Sequence, residues 1–170
     1  MNISKFTQKS VEILNNLEKI AYDFGAQEIA QEHLLYGMLT VEDSLIKKLI
    51  EKMEIDSDVF LAQVEGAVRK RPQVQGGQVY IGQDLNKVLV YAENEAKALG
   101  DEYVSVEHLF LSLLRKPSKE IKQLFHDFQI DRERFLQALS KVRGNQKVTT
   151  DNPEAVYDSL NKYGYDLVER

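Results

Sequence analysis

The sequence predicts an all-α protein built from two copies of one four-helix unit, giving a pseudo-two-fold body of eight helices followed by a C-terminal linker helix. Two observations lead to this prediction. Apolar residues recur at three- and four-residue spacing, the period of helices that bury one face. The chain also aligns with itself, without a gap, when it is shifted by 75 positions. A register held over this length indicates an internal duplication.

The duplication covers about residues 6–70 (repeat 1) and about residues 81–143 (repeat 2). Sixteen residues are identical to the residue 75 positions later: Gln8, Leu14, Glu18, Ala21, Gly25, Glu32, His33, Leu34, Leu39, Ile46, Lys47, Leu49, Ile55, Asp56, Phe60 and Leu61. We therefore expect the two halves of the chain to fold alike and to pack against each other.

Each repeat opens with a long amphipathic helix, indicated by Ile13, Leu17 and Ile20 in the first copy and by matching apolar positions in the second. Gly25 and Gly100 directly follow these helices, where a left-handed residue closes the last turn most easily without a Cβ. The glycines therefore predict where both helices end.

Three further helices follow in each repeat. The second is strongly apolar, with Leu34, Leu35, Met38 and Leu39 matching Leu109, Phe110, Leu113 and Leu114, which predicts a central position. The third carries Leu45, Ile46, Leu49, Ile50 and Met53, matching Ile121, Leu124, Phe125 and Phe128. Asp56 and Asp131 are predicted to cap the fourth, because a carboxylate there accepts hydrogen bonds from free N–H groups.

The segments outside the repeats differ in composition. Residues 71–79 lack helical periodicity and predict a loop with Gly76 and Gly77 at its tip. Asn152, Pro153 and Glu154 have the composition of a helix start, and Gly164 would end that ninth helix. We predict a domain over residues 1–143 and a linker segment over 144–170.

Composition excludes several classes of protein. Lys plus Arg number 22 against 27 for Asp plus Glu, and no basic block stands out, which argues against nucleic-acid binding. The chain has no cysteine, so thiolate catalysis and thiolate metal sites are excluded. No apolar run approaches the ~20 residues of a membrane span and no leader precedes residue 7, so a cytoplasmic protein without membrane contact is expected.

The sequence Glu-His-Leu begins a leucine-rich helix twice, at 32–34 and 107–109, each time after a helix closed by glycine. This pattern resembles the N-terminal domains of Clp-type AAA+ unfoldases, and the resemblance covers residues 1–143. The connector at 71–74 and the run from Val142 to Leu167 resemble the protein disaggregase branch of that family.

The resemblance implies a chaperone domain that captures unfolded or aggregated polypeptide and passes it to the ATPase modules of its parent chain. Such a parent forms a homohexamer, uses ATP and Mg²⁺, and works with a co-chaperone system. The present chain has no G-x-x-x-x-G-K-[ST] phosphate loop, so it is expected to hold no cofactor and to be no enzyme. The alternative is a domain that docks a folded adaptor for the unfoldase of a Clp protease.

The resemblance also places a substrate groove on Thr7, Asp101 and Glu107, with Tyr91 on the neighbouring helix. Leu85 and Leu109 are the apolar residues expected to be exposed beside these acids, and Glu32 is the equivalent acid of repeat 1. Purely structural roles are open to three of these residues: Thr7 as a helix N-cap, and Glu32 and Glu107 as first-turn carboxylates favoured by the helix dipole.

The histidines favour structure over chemistry. Zinc needs three or four ligands close together, and beside His33 and His108 only His126 remains, so packing or capping at the helix starts is the expected role. Adjacent Glu and His point about 100° apart on a helix and cannot act as a dyad. An independent hydrolase would need a pocket of convergent polar groups, which the sequence does not indicate.

Overall fold

The computed structural model describes residues 3–74 and 76–153, and over these residues it contains eight α-helices. The helices of repeat 1 are α1 Gln8–Asp23, α2 Gln31–Thr40, α3 Leu45–Lys52 and α4 Ser57–Arg69. Those of repeat 2 are α5 Gln83–Ala98, α6 Val106–Arg115, α7 Lys119–Asp127 and α8 Arg132–Arg143. Shifted by 75 positions, α1 and α2 share both ends with α5 and α6, which confirms the predicted all-α duplication.

The predicted caps are present. The side-chain oxygens of Thr7, Asp56 and Asp131 accept hydrogen bonds from the first-turn amides of α1, α4 and α8. Gly25 and Gly100 have φ of 73° and 72° at the ends of α1 and α5, the left-handed conformation that glycine adopts without strain. Local sequence signals therefore set these helix boundaries.

Helices pack in pairs within each repeat, α1 on α2 and α5 on α6. Small residues at the same register position allow these crossings. A Cβ on Gly37 would lie 3.2 Å from Cδ1 of Ile20, and the Ser112 hydroxyl at the matching position donates to the Val88 carbonyl at 2.7 Å. Each pair therefore depends on a small side chain where its helices approach most closely.

The two repeats share one core. Helix α3 packs on α6 and α8, and α4 packs on α7. Phe60 of repeat 1 meets Phe128 of repeat 2 edge to face, with ring centroids 4.9 Å apart, and Phe110 stacks on Phe135 at 4.5 Å. Edge-to-face and offset stacks are the favoured geometries of aromatic pairs. The two repeats therefore pack as one folded body and not as two separate units.

The structure also contains a short parallel strand pair that the sequence did not predict. Strand β1 (Glu28–Ile29) of repeat 1 pairs with β2 (Tyr80–Ile81) at the start of repeat 2. At the matching positions of the other half, Phe6 forms an isolated parallel bridge with Val104. The residues that precede the first helix of each repeat therefore pair with backbone of the other repeat.

The chain segments that leave α4 and α8 also match the predictions in part. The loop over 71–79 turns at Gly76 and Gly77, both with positive φ. After α8 the chain runs back over repeat 2, where Val148 is fully buried. The predicted ninth helix lies outside the described residues beyond Pro153, and the domain boundary at 143/144 stays a prediction.

Candidate functional site

The repeated Glu-His-Leu sequences place a buried histidine at the start of α2 and of α6. The Nδ1 atoms of His33 and His108 accept hydrogen bonds, both of 2.8 Å, from the backbone N–H groups of Ala30 and Ser105. This confirms the capping role predicted for the histidines. Because Nδ1 is the acceptor, the ring proton of the neutral imidazole lies on Nε2.

In repeat 2 this histidine belongs to a buried polar network that we call the repeat-2 cluster: Asp101, Ser105, Glu107, His108 and Arg143. His108 Nε2 lies 2.6 Å from Asp101 Oδ2, and Arg143 Nη2 donates to Asp101 Oδ1, also at 2.6 Å. Arg143 Nη1 donates to Glu107 at 3.3 Å, and the Ser105 hydroxyl donates to the other oxygen of Glu107. The cluster connects the loop after α5 and the start of α6 to the end of α8.

Asp101 carries the negative charge at the centre of the cluster. Burial alone would raise the pKa of Asp101, but hydrogen bonds from His108 and Arg143 and from the Val148 amide outweigh burial and hold it well below its usual value. The Val148 N–H donates to Oδ1 at 2.9 Å. A carboxylate with three hydrogen-bond donors and no exposed side-chain surface serves the structure, because no ligand can reach it in this arrangement.

Repeat 1 keeps the glutamate and histidine but has lost their partners. Ala26, Ala30 and Val68 stand where repeat 2 has Asp101, Ser105 and Arg143. Over the described residues, Glu32 Oε2 and His33 Nε2 are buried without a hydrogen-bond partner. The equivalent glutamate and histidine therefore belong to a complete hydrogen-bond network in repeat 2 and to an incomplete one in repeat 1.

Arg71, from the loop after α4, is the cation nearest to Glu32. Its Nη1 lies 3.8 Å from Glu32 Oε2, an ion pair without a hydrogen bond, while its Nη2 lies 3.2 Å from Glu28. Burial, only partly offset by Arg71, raises the pKa of Glu32. Burial and the neighbouring Arg71 charge also lower the pKa of His33 to about 4. Both side chains therefore remain incompletely satisfied at neutral pH.

Glu32 lies at the edge of an open pocket of about 570 Å³ between α4 and α7. Charges of both signs line it, with Lys70 and Arg71 from the end of repeat 1 and Lys119 and Glu120 from the start of α7. Such a lining suits a ligand that itself carries polar or charged groups.

The residues predicted from the resemblance are not brought together as an open groove. Thr7 is buried as the N-cap of α1, and Asp101 and Glu107 are buried in the repeat-2 cluster. A partner cannot touch these carboxylates while they are covered. Their contribution to binding stays a prediction, and it would be exerted through the position of α6.

Leu85 and Leu109 are fully buried in the core, so the prediction that they are exposed beside the acids is wrong. Apolar positions of amphipathic helices usually face the core, and both residues follow that rule. Tyr91 is the exception among the predicted site residues, since 40% of it is exposed and Lys116 Nζ lies 4.7 Å from its ring centroid.

Neither arginine that lies beside Glu32 or Glu107 was predicted from the sequence as a site residue. Arg71 lies in the predicted loop over 71–79, yet only 23% of its side chain is exposed. Arg143, which closes the repeat-2 cluster, was not identified as a site residue. Arg143 is the last residue of α8, at the position of Val68, whereas Arg71 lies in the loop two residues after α4, so the 75-residue register gave no signal that links them.

Two features are absent from residues 3–74 and 76–153. In that part of the chain, no three His, Asp or Glu residues are grouped as metal ligands. None of its helices has the length and apolar character needed to cross a bilayer.

Comparison with known proteins places this geometry in a family. The family model of the Clp repeat N-terminal domain matches residues 5–128. The chaperone protein ClpB of Nitratidesulfovibrio vulgaris is 42% identical over 175 residues, covering 99% of this chain and 20% of the relative. The chain thus spans about one fifth of the length of such relatives.

Solved structures show the same fold at low sequence identity. The Hsp104 N-terminal domain from Candida albicans superimposes with a TM-score of 0.76 and 20% identity, over 87% of this chain and 97% of that domain. A ClpV N-domain in complex with a VipB peptide gives a TM-score of 0.66 and 20% identity, over 81% and 86% of the two chains.

Proposed function

Because the chain belongs to the Clp repeat N-terminal domain family, we propose that this chaperone N-domain captures exposed apolar segments of unfolded or aggregated protein. It would deliver them to the hexameric, ATP-hydrolysing modules of a ClpB-like parent. The ClpV N-domain solved with a VipB peptide supports polypeptide binding by this fold. The observation in this chain that carries the proposal is the concentration of exposed apolar side chains between β2 and the middle of α5.

Four of the seven large apolar residues exposed in the described part of the chain fall between positions 80 and 91. These four define the α5 apolar surface: Tyr80, Ile81, Val90 and Tyr91, each 40–53% exposed. Tyrosine is enriched among residues that dominate binding energy, because it buries a large rigid area at a small cost in side-chain entropy. The surface is therefore suited to brief contacts with apolar segments.

The α5 apolar surface rests on a rigid support. The Gln31 side-chain amide donates to the backbone carbonyls of Asp84, in α5, and Lys116, after α6, both at 2.9 Å. Its oxygen accepts from the Ser118 N–H at 2.8 Å. One buried side chain thus fixes α5 against the α6–α7 turn, which holds Tyr91 in a defined place.

The pocket beside Glu32 gives the same client a polar contact. We propose that a basic side chain of the client enters this pocket and pairs with the exposed carboxylates of Glu120 and Asp127, which line it together with the buried Glu32. Gln31 and Glu32 are adjacent at the start of α2, so the pocket adjoins the support of the α5 apolar surface. Capture would then combine apolar contact with one charge contact.

The experiment is a fluorescence-anisotropy titration of a labelled, permanently unfolded model protein with the domain. Tyr91→Ala is expected to weaken binding by roughly fivefold or more, the loss typical of an interface tyrosine. Tyr22→Ala, which removes a tyrosine 79% exposed on α1, is the matched control and should bind like the wild type. Equal affinity of the two variants contradicts the assigned surface. No binding by the wild type contradicts capture itself and favours the adaptor-docking alternative.

A further inference from the structure

Strand β2 has one paired edge and one open edge. The Tyr80 N–H donates to the Gln27 carbonyl at 3.0 Å, and the Gly82 N–H donates to the Ile29 carbonyl at 2.9 Å. Successive residues of a strand direct their amides to opposite edges. The backbone N–H and C=O of Ile81 therefore point away from β1, and about half of the Ile81 side chain is exposed beside them.

The matching edge in the other half of the molecule is covered. Shifted by 75 positions, Ile81 corresponds to Phe6 and Gln83 to Gln8. Phe6 is only 3% exposed, and the Gln8 N–H donates to the Asp151 carbonyl at 2.7 Å. The polypeptide that follows α8 therefore reaches this position, whereas no segment among residues 3–74 and 76–153 bonds to the matching edge of β2.

The covering segment is anchored on the loop at 101–103 before it reaches Gln8. The Val148 carbonyl accepts from the Glu102 N–H at 2.9 Å, the Val148 N–H donates to Asp101, and the Val148 side chain is fully buried. The segment thus uses backbone hydrogen bonds and one apolar side chain. Within the described residues, the N–H groups of Ile81 and Gln83 have no acceptor of this kind.

From this difference between the repeats we infer that the open edge of β2 binds an extended segment of client polypeptide as an added strand. The inference rests on the proposed capture function and names its mode. Exposed edge strands are ready templates for such pairing, in which backbone hydrogen bonds give affinity without demanding a fixed sequence.

The acidic residues beside β2 favour an added strand that carries a basic residue next to an apolar one. Asp84 is exposed in the first turn of α5, and the Glu28 side chain, 40% exposed, lies against Gly82 at the end of β2. Asp84 is complementary to a lysine or arginine of the added strand, whereas Glu28 already pairs with Arg71. The exposed Ile81 side chain contacts its apolar residue.

The test compares Ile81→Pro with Ile81→Ala. Both variants lose the isoleucine side chain, but only proline also removes the outward N–H, and Tyr80 already has the extended conformation that a following proline requires. The probe is a short labelled peptide of alternating valine and lysine. We expect Ile81→Pro to bind roughly two- to tenfold more weakly than Ile81→Ala, the effect of one backbone hydrogen bond. Equal binding by the two variants overturns added-strand docking.

A peptide-side experiment keeps the test valid if proline unfolds the domain, which the circular-dichroism melting curve would show. The peptide is N-methylated at every second residue, leaving one hydrogen-bonding edge, or at every residue, leaving none. Binding to the wild-type domain should survive the first modification and fall by roughly tenfold or more with the second. Equal binding of both peptides overturns the inference. Failure of the unmodified peptide and of unfolded protein to bind would instead contradict the capture proposal.

Discussion

Replacing Asp101 by alanine should destabilise the domain far more than its position in a loop suggests. The side chain is buried and accepts hydrogen bonds from His108, Arg143 and the Val148 amide. Removing it leaves a buried guanidinium, an imidazole N–H and a backbone N–H without their acceptor. Loss of one partner from a buried ion pair typically costs about 3–5 kcal/mol.

That cost is a large share of the ~5–15 kcal/mol by which domains are usually stable. For a domain of this size it corresponds to a fall in the melting temperature of roughly 6–20 °C. Glu102→Ala is the matched control, because Glu102 is exposed and contributes only its backbone to the contacts of Val148. The control should change the free energy of unfolding by no more than about 0.5 kcal/mol.

Urea denaturation followed by circular dichroism measures both variants. The pH dependence adds a second check. Because the pKa of Asp101 is lowered on folding from its usual 3.8, the stability it supplies is complete above about pH 4 and declines as the pH falls below that value. The difference between wild type and Asp101→Ala should therefore shrink at pH 3. Equal stability of Asp101→Ala and Glu102→Ala at pH 7 would refute the structural role of the repeat-2 cluster.

Three further predictions follow from the differences between the repeats. Glu32→Gln should leave the free energy of unfolding at pH 7 unchanged or raise it by up to about 1 kcal/mol. Glu107→Gln should lower it by about 1–3 kcal/mol, because Glu107 has hydrogen-bond partners in the repeat-2 cluster. Equal effects of the two substitutions in urea denaturation would be inconsistent with this difference between the repeats. Because the pKa of His33 is lowered on folding to about 4, the wild type should lose about 2 kcal/mol between pH 7 and pH 5 through this residue. His33→Asn keeps an acceptor for the Ala30 N–H and should remove this loss of stability. A melting curve with the same pH dependence as the wild type would contradict the role assigned to His33. Gly37→Leu should lower the free energy of unfolding by about 1–3 kcal/mol through overpacking against α1, and a melting temperature equal to that of the wild type would show that the crossing is loose.

The helices could be predicted from the sequence because their signals are local. Apolar periodicity located the first three helices of each repeat, and the caps Asp56 and Asp131 located the fourth. The strand pair could not be predicted in this way. Each strand has two residues, and Tyr80 finds its partner Glu28 across the boundary between repeats, a distant pairing that periodicity does not encode.

The site was harder to predict than the fold. The 75-residue register identified Glu32 and Glu107 as equivalent positions, but it could not show that Arg143 buries one of them while the other borders an open pocket. Exposure depends on packing between helices, which is why Leu85 proved to be core while Tyr91 remained accessible. Identity between repeats therefore predicted shared architecture and not shared function.

The central claim is that polypeptide binds on the α5 apolar surface while the repeat-2 cluster serves the structure. Amide chemical shifts recorded by NMR during titration with the unfolded model protein test this claim most directly. The largest changes are expected at Tyr80, Ile81 and Tyr91, with little change at Asp101 and Glu107. Perturbations centred on Asp101 and Glu107, with Tyr91 unaffected, would contradict it.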